Sequence, residues 1–233
     1  MLRAVLFDID DTLYDFLGIT DAAVRRVAAR VERETSIPAA DVCDAYRRIL
    51  HEQKAQTSTA GYHSRTIRFQ RLLEERGLPL RNALAYGAAY WNELLSLARP
   101  FPGLPEALDA LRARGLRLGV GTNMTADWQL VKLERLGLVD RFDFMVSSEE
   151  AGAEKPDPAF FRLCVEKARC APADCLFVGD NRTLDAEGAA AFGMRGLWFQ
   201  PDPAERAAHP GTPSFGSYAD LLPLLFPPRS PAP

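Results

Sequence analysis

Ala4-Val5-Leu6-Phe7-Asp8-Ile9-Asp10-Asp11-Thr12-Leu13 sets an unbroken apolar run against a cluster of carboxylates close to the N-terminus. A short apolar run of this kind suits a strand buried on both faces of a parallel sheet, in which function gathers beyond the carboxyl ends of the strands. Strands place residues i and i+2 on one side, so Asp8 and Asp10 can both point off the strand end while Ile9 turns back into the core. Asp10-Asp11-Thr12 also suits a turn cap, because Asp and Thr bond their own backbone readily. The rest of the chain has to decide between the two.

Moving outward, 233 residues with 47% apolar content can bury a full core as one large domain or as a domain carrying an insertion. A formal charge of −3 argues against a general nucleic-acid binder and leaves room for a small anionic substrate. The four cysteines, Cys43, Cys164, Cys170 and Cys175, show no paired CxxC spacing and no histidine at zinc-ligand spacing, which reads as reduced, mostly buried thiols. Ala4 to Phe7 is too short for a signal-peptide apolar region, and no stretch nears the roughly 20 apolar residues that span a bilayer. The expectation is a soluble cytoplasmic protein with no membrane partner. The sequons Asn123-Met124-Thr125 and Asn181-Arg182-Thr183 then need an explanation other than glycosylation.

After the acidic cluster the pattern turns helical: Ala, Arg, Leu and Glu recur at helical spacing through residues 15–98. Helices are expected at Asp21 to Glu34 with Thr20 or Asp21 as cap, from Pro38 and Asp41 through Leu50, at Ser64 to Arg76 closed by Gly77, and at Arg81 to Leu97. Pro100-Phe101-Pro102-Gly103 marks a junction, beyond which helices and strands alternate. Helices are expected at Pro105 to Arg114, Ala126 to Leu136, Pro158 to Ala168 and Asp185 to Phe192. Strands are expected at Arg117 to Gly121, Phe144 to Ser147, Leu176 to Gly179 and, last, Gly196 to Phe199. Pro201 to Gly216 reads as a surface loop and Tyr218 to Phe226 as a closing helix. Such alternation indicates βαβ units: an α/β fold with a doubly wound parallel sheet, helices on both faces, and a helical insertion after the first strand. The domains are then residues 1–14 with 99–226 as core and 15–98 as insertion, followed by a disordered tail over 227–233.

Three further stretches carry possible chemistry. Thr122-Asn123 ends a strand, where Thr122 equally suits a helix cap; Gly119-Val120-Gly121 fails as a dinucleotide fingerprint because Met124 holds the last glycine position. Lys155-Pro156 lies in Ser148-Glu149-Glu150-Ala151-Gly152-Ala153-Glu154-Lys155-Pro156-Asp157-Pro158, in a chain with only four lysines. Val178-Gly179-Asp180-Asn181-Arg182-Thr183-Leu184-Asp185 puts two more carboxylates after a strand and continues through Gly188-Ala189. Unit charges about 4 Å apart interact by roughly 4 kcal/mol at an effective dielectric near 20, so Asp8, Asp10, Asp180 and Asp185 would need cations to ionise together at one centre.

In this order the stretches resemble the four motifs of the haloacid dehalogenase (HAD) superfamily: DxDxT, a Thr-Asn pair, the lysine, and GDxxxxD. The helical insertion sits where subfamily I members carry an α-helical cap. The resemblance implies a Rossmann-like core and a phosphatase that forms an aspartyl phosphate. Asp8 is then the nucleophile and Asp10 the acid and base, with Thr122, Asn123 and Lys155 on the phosphate. Mg²⁺ is implied on the Asp8 and Asp180 side chains and the Asp10 carbonyl, with Asp185 orienting the site. The substrate is expected to be a small phosphate ester, a nucleotide or sugar phosphate, with no nucleic acid and no membrane, and the protein a monomer or homodimer. Tyr14, Phe16, His63 and Arg65 are candidates for recognition, each equally explained by packing or exposure. A phosphomutase or other HAD phosphotransferase keeps all four motifs. A dehalogenase would not need Asp10, and a phosphonoacetaldehyde hydrolase would need a cap lysine, for which Lys54 is the sole candidate. A silent phosphate-binding or signalling module would be expected to lose Asp8 or Lys155.

Overall fold

Every side chain of the first strand, Ala4–Phe7 (β1), is buried, as a central strand of a parallel sheet requires. The computed structural model describes residues 1–56 and 63–227. The further strands are Arg117–Thr122 (β2), Phe144–Ser147 (β3), Cys175–Gly179 (β4), Arg195–Phe199 (β5) and Ser214–Phe215 (β6). They form one six-stranded sheet of order β3-β2-β1-β4-β5-β6. All its pairings are parallel, and Phe7 stands between Val120 and Val178. Because β2 and β4 flank β1 on opposite sides, the chain reverses its direction of winding at β1, and the crevice beyond the β1 and β4 ends is where such sheets hold ligands.

The chain divides into two compact units, Met1–Asp15 with Arg99–Pro233, and Phe16–Ala98. The second contains helices Phe16–Thr35 (α1), Ala39–Gln56 (α2), Arg65–Glu75 (α3) and Ala83–Leu97 (α4). Its core is aromatic: Tyr46 stacks on Tyr90 at 5.9 Å between centroids, and Phe69 packs on Tyr46 at 5.4 Å. The α1 start corrects the cap expected at Thr20 or Asp21. Thr20 lies inside the helix, where its hydroxyl donates back to the Phe16 carbonyl at 2.8 Å.

In the first unit the helices are Leu104–Ala113 (α5), Ala126–Arg135 (α6), Ser148–Ala151 (α7), Pro158–Ala168 (α8), Gly188–Phe192 (α9), Pro203–Ala208 (α10) and Tyr218–Leu225 (α11). Ala4 and Leu6 face a core of Phe160, Phe161, Cys164, Phe177 and Ala189. Val5 and Phe7, which alternate with them, are equally buried, so the sheet is covered on both faces. Two expectations are corrected here. Pro201 to Gly216 is more than a loop, since it holds α10 and the last strand, β6. Asp185 to Phe192 begins earlier, as a π-turn over Arg182–Glu187 that leads into α9. Of the expected tail, residues 228–233 lie outside the described residues. The cysteines are free thiols, three buried and Cys170 half-buried. Among the described residues no helix is long and apolar enough to cross a membrane.

Candidate active site

Asp8 follows β1 and Asp180 follows β4, so parallel pairing of the two strands brings both residues to the crevice; the Asp8 amide itself donates to the Val178 carbonyl at 2.9 Å. Asp180 is held by its neighbours. Its amide donates to the Thr12 hydroxyl at 2.9 Å, that hydroxyl donates to the Asp180 carboxylate at 3.1 Å, and the Trp198 indole donates to the Asp180 carbonyl at 2.6 Å. Tyr218 in turn donates to the Thr12 carbonyl at 2.7 Å. Thr12, the last residue of the first motif, therefore ties that motif to the fourth. Asp11 beside it takes the left-handed backbone, φ +56°, which Asp tolerates better than most residues.

Asp185 reaches the same place from the π-turn. One carboxylate oxygen accepts from the Asn181 amide at 2.9 Å and the other lies 2.7 Å from the Lys155 ammonium. Lys155 is almost completely buried and also lies 3.0 Å from Asp8. Its ammonium donates to the Gly121 carbonyl at 3.2 Å, and its amide donates to the Asn123 side chain at 2.9 Å. Burial works against the ammonium, but Asp185 and Asp8 outweigh it and raise its pKa. Burial first, then Asp8, Asp185 and Asp11, push the Asp180 carboxyl up to about 8. Burial also pushes Asp185 above the ordinary range.

Carboxylate oxygens of Asp8, Asp180 and Asp185 all lie within 4.8 Å of one another. Asp8 Oδ1 is buried and has no hydrogen-bond partner among the described residues. Buried acceptors are almost always satisfied, and three hard oxygen donors are what Mg²⁺ prefers, so the residues present fit that cation.

Asp10 departs from the expected convergence: its side chain is not in this cluster. Both of its carboxylate oxygens face the Lys132 ammonium, at 2.8 and 2.6 Å, and Tyr14 donates to one of them at 2.7 Å. Lys132, on α6, is fully buried. The sequence reading missed it because Val131-Lys132-Leu133-Glu134-Arg135 looks like an ordinary amphipathic helix; the only available signal was the scarcity of lysine. Gln129, one turn earlier on α6, was missed likewise and donates to the Thr122 hydroxyl at 2.6 Å. Thr122 is thus buried at the strand end, while the Asn123 side chain anchors the lysine loop. Asn181 accepts from the Leu184 amide at 3.0 Å and so starts the π-turn, which gives that sequon a structural role.

Of the recognition candidates, Tyr14 and Arg65 are buried and Phe16 and His63 are half-buried. Tyr14 is fully buried against Asp10. Within the helical unit the Arg65 guanidinium lies over Trp91 at 4.6 Å and over Phe16 at 5.6 Å, and it donates to the His63 carbonyl.

The family model for haloacid dehalogenase-like hydrolases matches residues 2–193. The ribulose-1,5-bisphosphate 5-phosphatase of Halopiger xanaduensis is 36% identical over 222 residues, 89% of this chain and 92% of that protein. The glyceraldehyde 3-phosphate phosphatase of Methanothermobacter thermautotrophicus is 35% identical over 197 residues, 84% and 85% of the two chains. A solved HAD-hydrolase, YfnB of Bacillus subtilis, bound to magnesium, matches with a TM-score of 0.72 at 25% identity, covering 97% of this chain and 99% of its own. The order of strands, the acidic crevice at the winding reversal and these matches all agree: the chain belongs to the haloacid dehalogenase-like hydrolases.

Proposed function

We propose that this protein is a Mg²⁺-dependent phosphatase that hydrolyses a small phosphorylated metabolite of the sugar-phosphate class through an aspartyl phosphate on Asp8. The observation that carries the reading is the meeting of Asp8, Asp180 and Asp185 with the buried Lys155. Phosphoryl transfer asks a protein mainly for positioning and for positive charge around the phosphoryl oxygens. Lys155 supplies a fixed ammonium to the nucleophile and the phosphate together, and Asp185 keeps it aimed. The Asp8 and Asp180 carboxylates and the Asp10 carbonyl would hold Mg²⁺, which would supply positive charge beside the phosphoryl oxygens.

An Asp8 oxygen bonds to phosphorus as the ester oxygen leaves, and that oxygen takes the proton of the Asp10 carboxyl. A water then yields a proton to Asp10 as its own oxygen bonds to phosphorus, which frees inorganic phosphate and restores Asp8. Thr122 and Asn123 hold the phosphoryl group at the β2 end. Residues 15–98 take the part of the family's cap, which selects the substrate. The names of the two relatives favour a sugar phosphate over a nucleotide, because both act on phosphorylated sugars.

A panel of sugar phosphates and nucleotides, assayed for released phosphate, tests this. Turnover is expected with Mg²⁺, none with EDTA, and Asp8→Asn should lose several orders of magnitude in kcat. Full turnover by Asp8→Asn overturns the nucleophile, and activity in EDTA overturns the metal role of Asp180. A phosphosugar isomerised without release of phosphate makes the protein a mutase.

A further inference from the structure

We propose that Lys132 is a positioning residue that, together with Tyr14, fixes the direction of the Asp10 carboxyl for proton transfer; this rests on the reading of Asp10 as acid and base. The Lys132 ammonium spans both Asp10 oxygens, at 2.8 and 2.6 Å, and the Tyr14 hydroxyl donates to one of them at 2.7 Å. Lys132 and Tyr14 are both fully buried, whereas the Asp10 side chain keeps 26% of its surface exposed. The grip therefore comes from the protein side and leaves the carboxyl open on the other.

Lys132 sits on the buried side of α6. Its neighbours Leu133 and Leu136 are buried, and an apolar side chain there would avoid the cost of desolvating a charge. Both Asp10 carboxylate oxygens lie within 2.8 Å of the buried ammonium, which places Lys132 for that carboxylate. The same helix sends Gln129 to Thr122 at 2.6 Å, so α6 supports two motif residues from beneath. Asp10 lies past the end of β1, in an isolated bridge with Tyr14, and contacts at both of its oxygens fix the rotation of its carboxyl.

The proton leaves the Asp10 oxygen as the P–O bond to the leaving group breaks, and the resulting carboxylate stays under Lys132 and Tyr14 until water returns a proton to it. A group that aims a general acid matters in proportion to the leaving group's need for a proton. An alkoxide needs one, and p-nitrophenolate scarcely does. A residue that merely supports the fold lowers both reactions alike.

The test compares Lys132→Met and Tyr14→Phe with the parent enzyme in Mg²⁺. It measures kcat/KM, which reports the step that expels the leaving group, on p-nitrophenyl phosphate and on the best alkyl phosphate of the panel. For Lys132→Met the loss on the alkyl ester is expected to exceed the loss on the aryl ester by at least about 10-fold, within the roughly 10²–10⁴-fold that general acid catalysis supplies. Tyr14→Phe, which removes one hydroxyl and keeps the packing, should show a smaller bias of the same sign, and it decides the matter if Lys132→Met fails to fold. Equal losses on both esters, or none, overturn the role of Lys132 while leaving the phosphatase intact. A parent enzyme that hydrolyses neither ester removes the acid–base reading and this inference with it.

Discussion

Lys155 is the residue on which the charge balance of the site turns, since it is buried and pairs with two carboxylates at 3.0 and 2.7 Å. Removing one partner of a buried ion pair leaves uncompensated charge, typically at a cost of about 3–5 kcal/mol. Lys155→Met is therefore expected to lower unfolding stability by that order in metal-free denaturant titrations, and to abolish turnover. An unchanged midpoint would show that the pair contributes nothing to the fold. Asp180 and Asp185 give a signature in pH. Their carboxyls are raised in the folded state, so the stability they contribute is complete below the ordinary carboxylate range and is lost as pH rises toward about 8, the value for Asp180. A divalent cation on Asp180, with Asp185 close beside it, would favour the ionised carboxylates in place of those protons. The increase in Tm on adding Mg²⁺ should then grow from pH 5.5 to pH 8, and an increment that stays flat or shrinks would contradict the shared cation site.

Among the elements, β4 and the π-turn after it carry the tightest tolerance. A Cβ on Gly179 would stand 2.2 Å from an Asp185 carboxylate oxygen, so only glycine lets that side chain lie against the strand end. Gly179→Ala should displace Asp185, cost about 1–3 kcal/mol in stability as overpacking does, and reduce kcat. Wild-type stability and rate in that variant would mean that Asp185 has room to move. Gly179 was legible as part of a motif, but its reason was not, because the contact exists only once the π-turn folds back. Strand Phe144–Ser147 and helix Pro158–Ala168 were legible and match their expected limits. Strand β6 was not. β6 has two residues in a Pro- and Gly-rich stretch, too few for any alternation to register. It exists because Trp198 and Gln200 donate to the Pro213 and Phe215 carbonyls, each at 2.9 Å, and because Phe215 packs on Phe199 at 5.2 Å between centroids.

For the molecule as a whole, the acidic motifs could be read from residue types and order, and the meeting of Asp8 with Asp180 follows from the adjacency of β1 and β4. Strand order itself could not be read, since the alternation of helices and strands is the same for several orders. Lys132 escaped for the same reason: its partner lies 122 residues away, and helical periodicity carries no information about what a helix faces. The most direct measurement is a rapid acid quench of the Mg²⁺-loaded protein during turnover of its best substrate, followed by peptide mass spectrometry. The peptide bearing Asp8 should carry one phosphoryl group, formed before phosphate appears in solution and absent from Asp8→Asn. Phosphate released with no label on that peptide at any quench time, or the same label in Asp8→Asn, would contradict the nucleophilic role of Asp8.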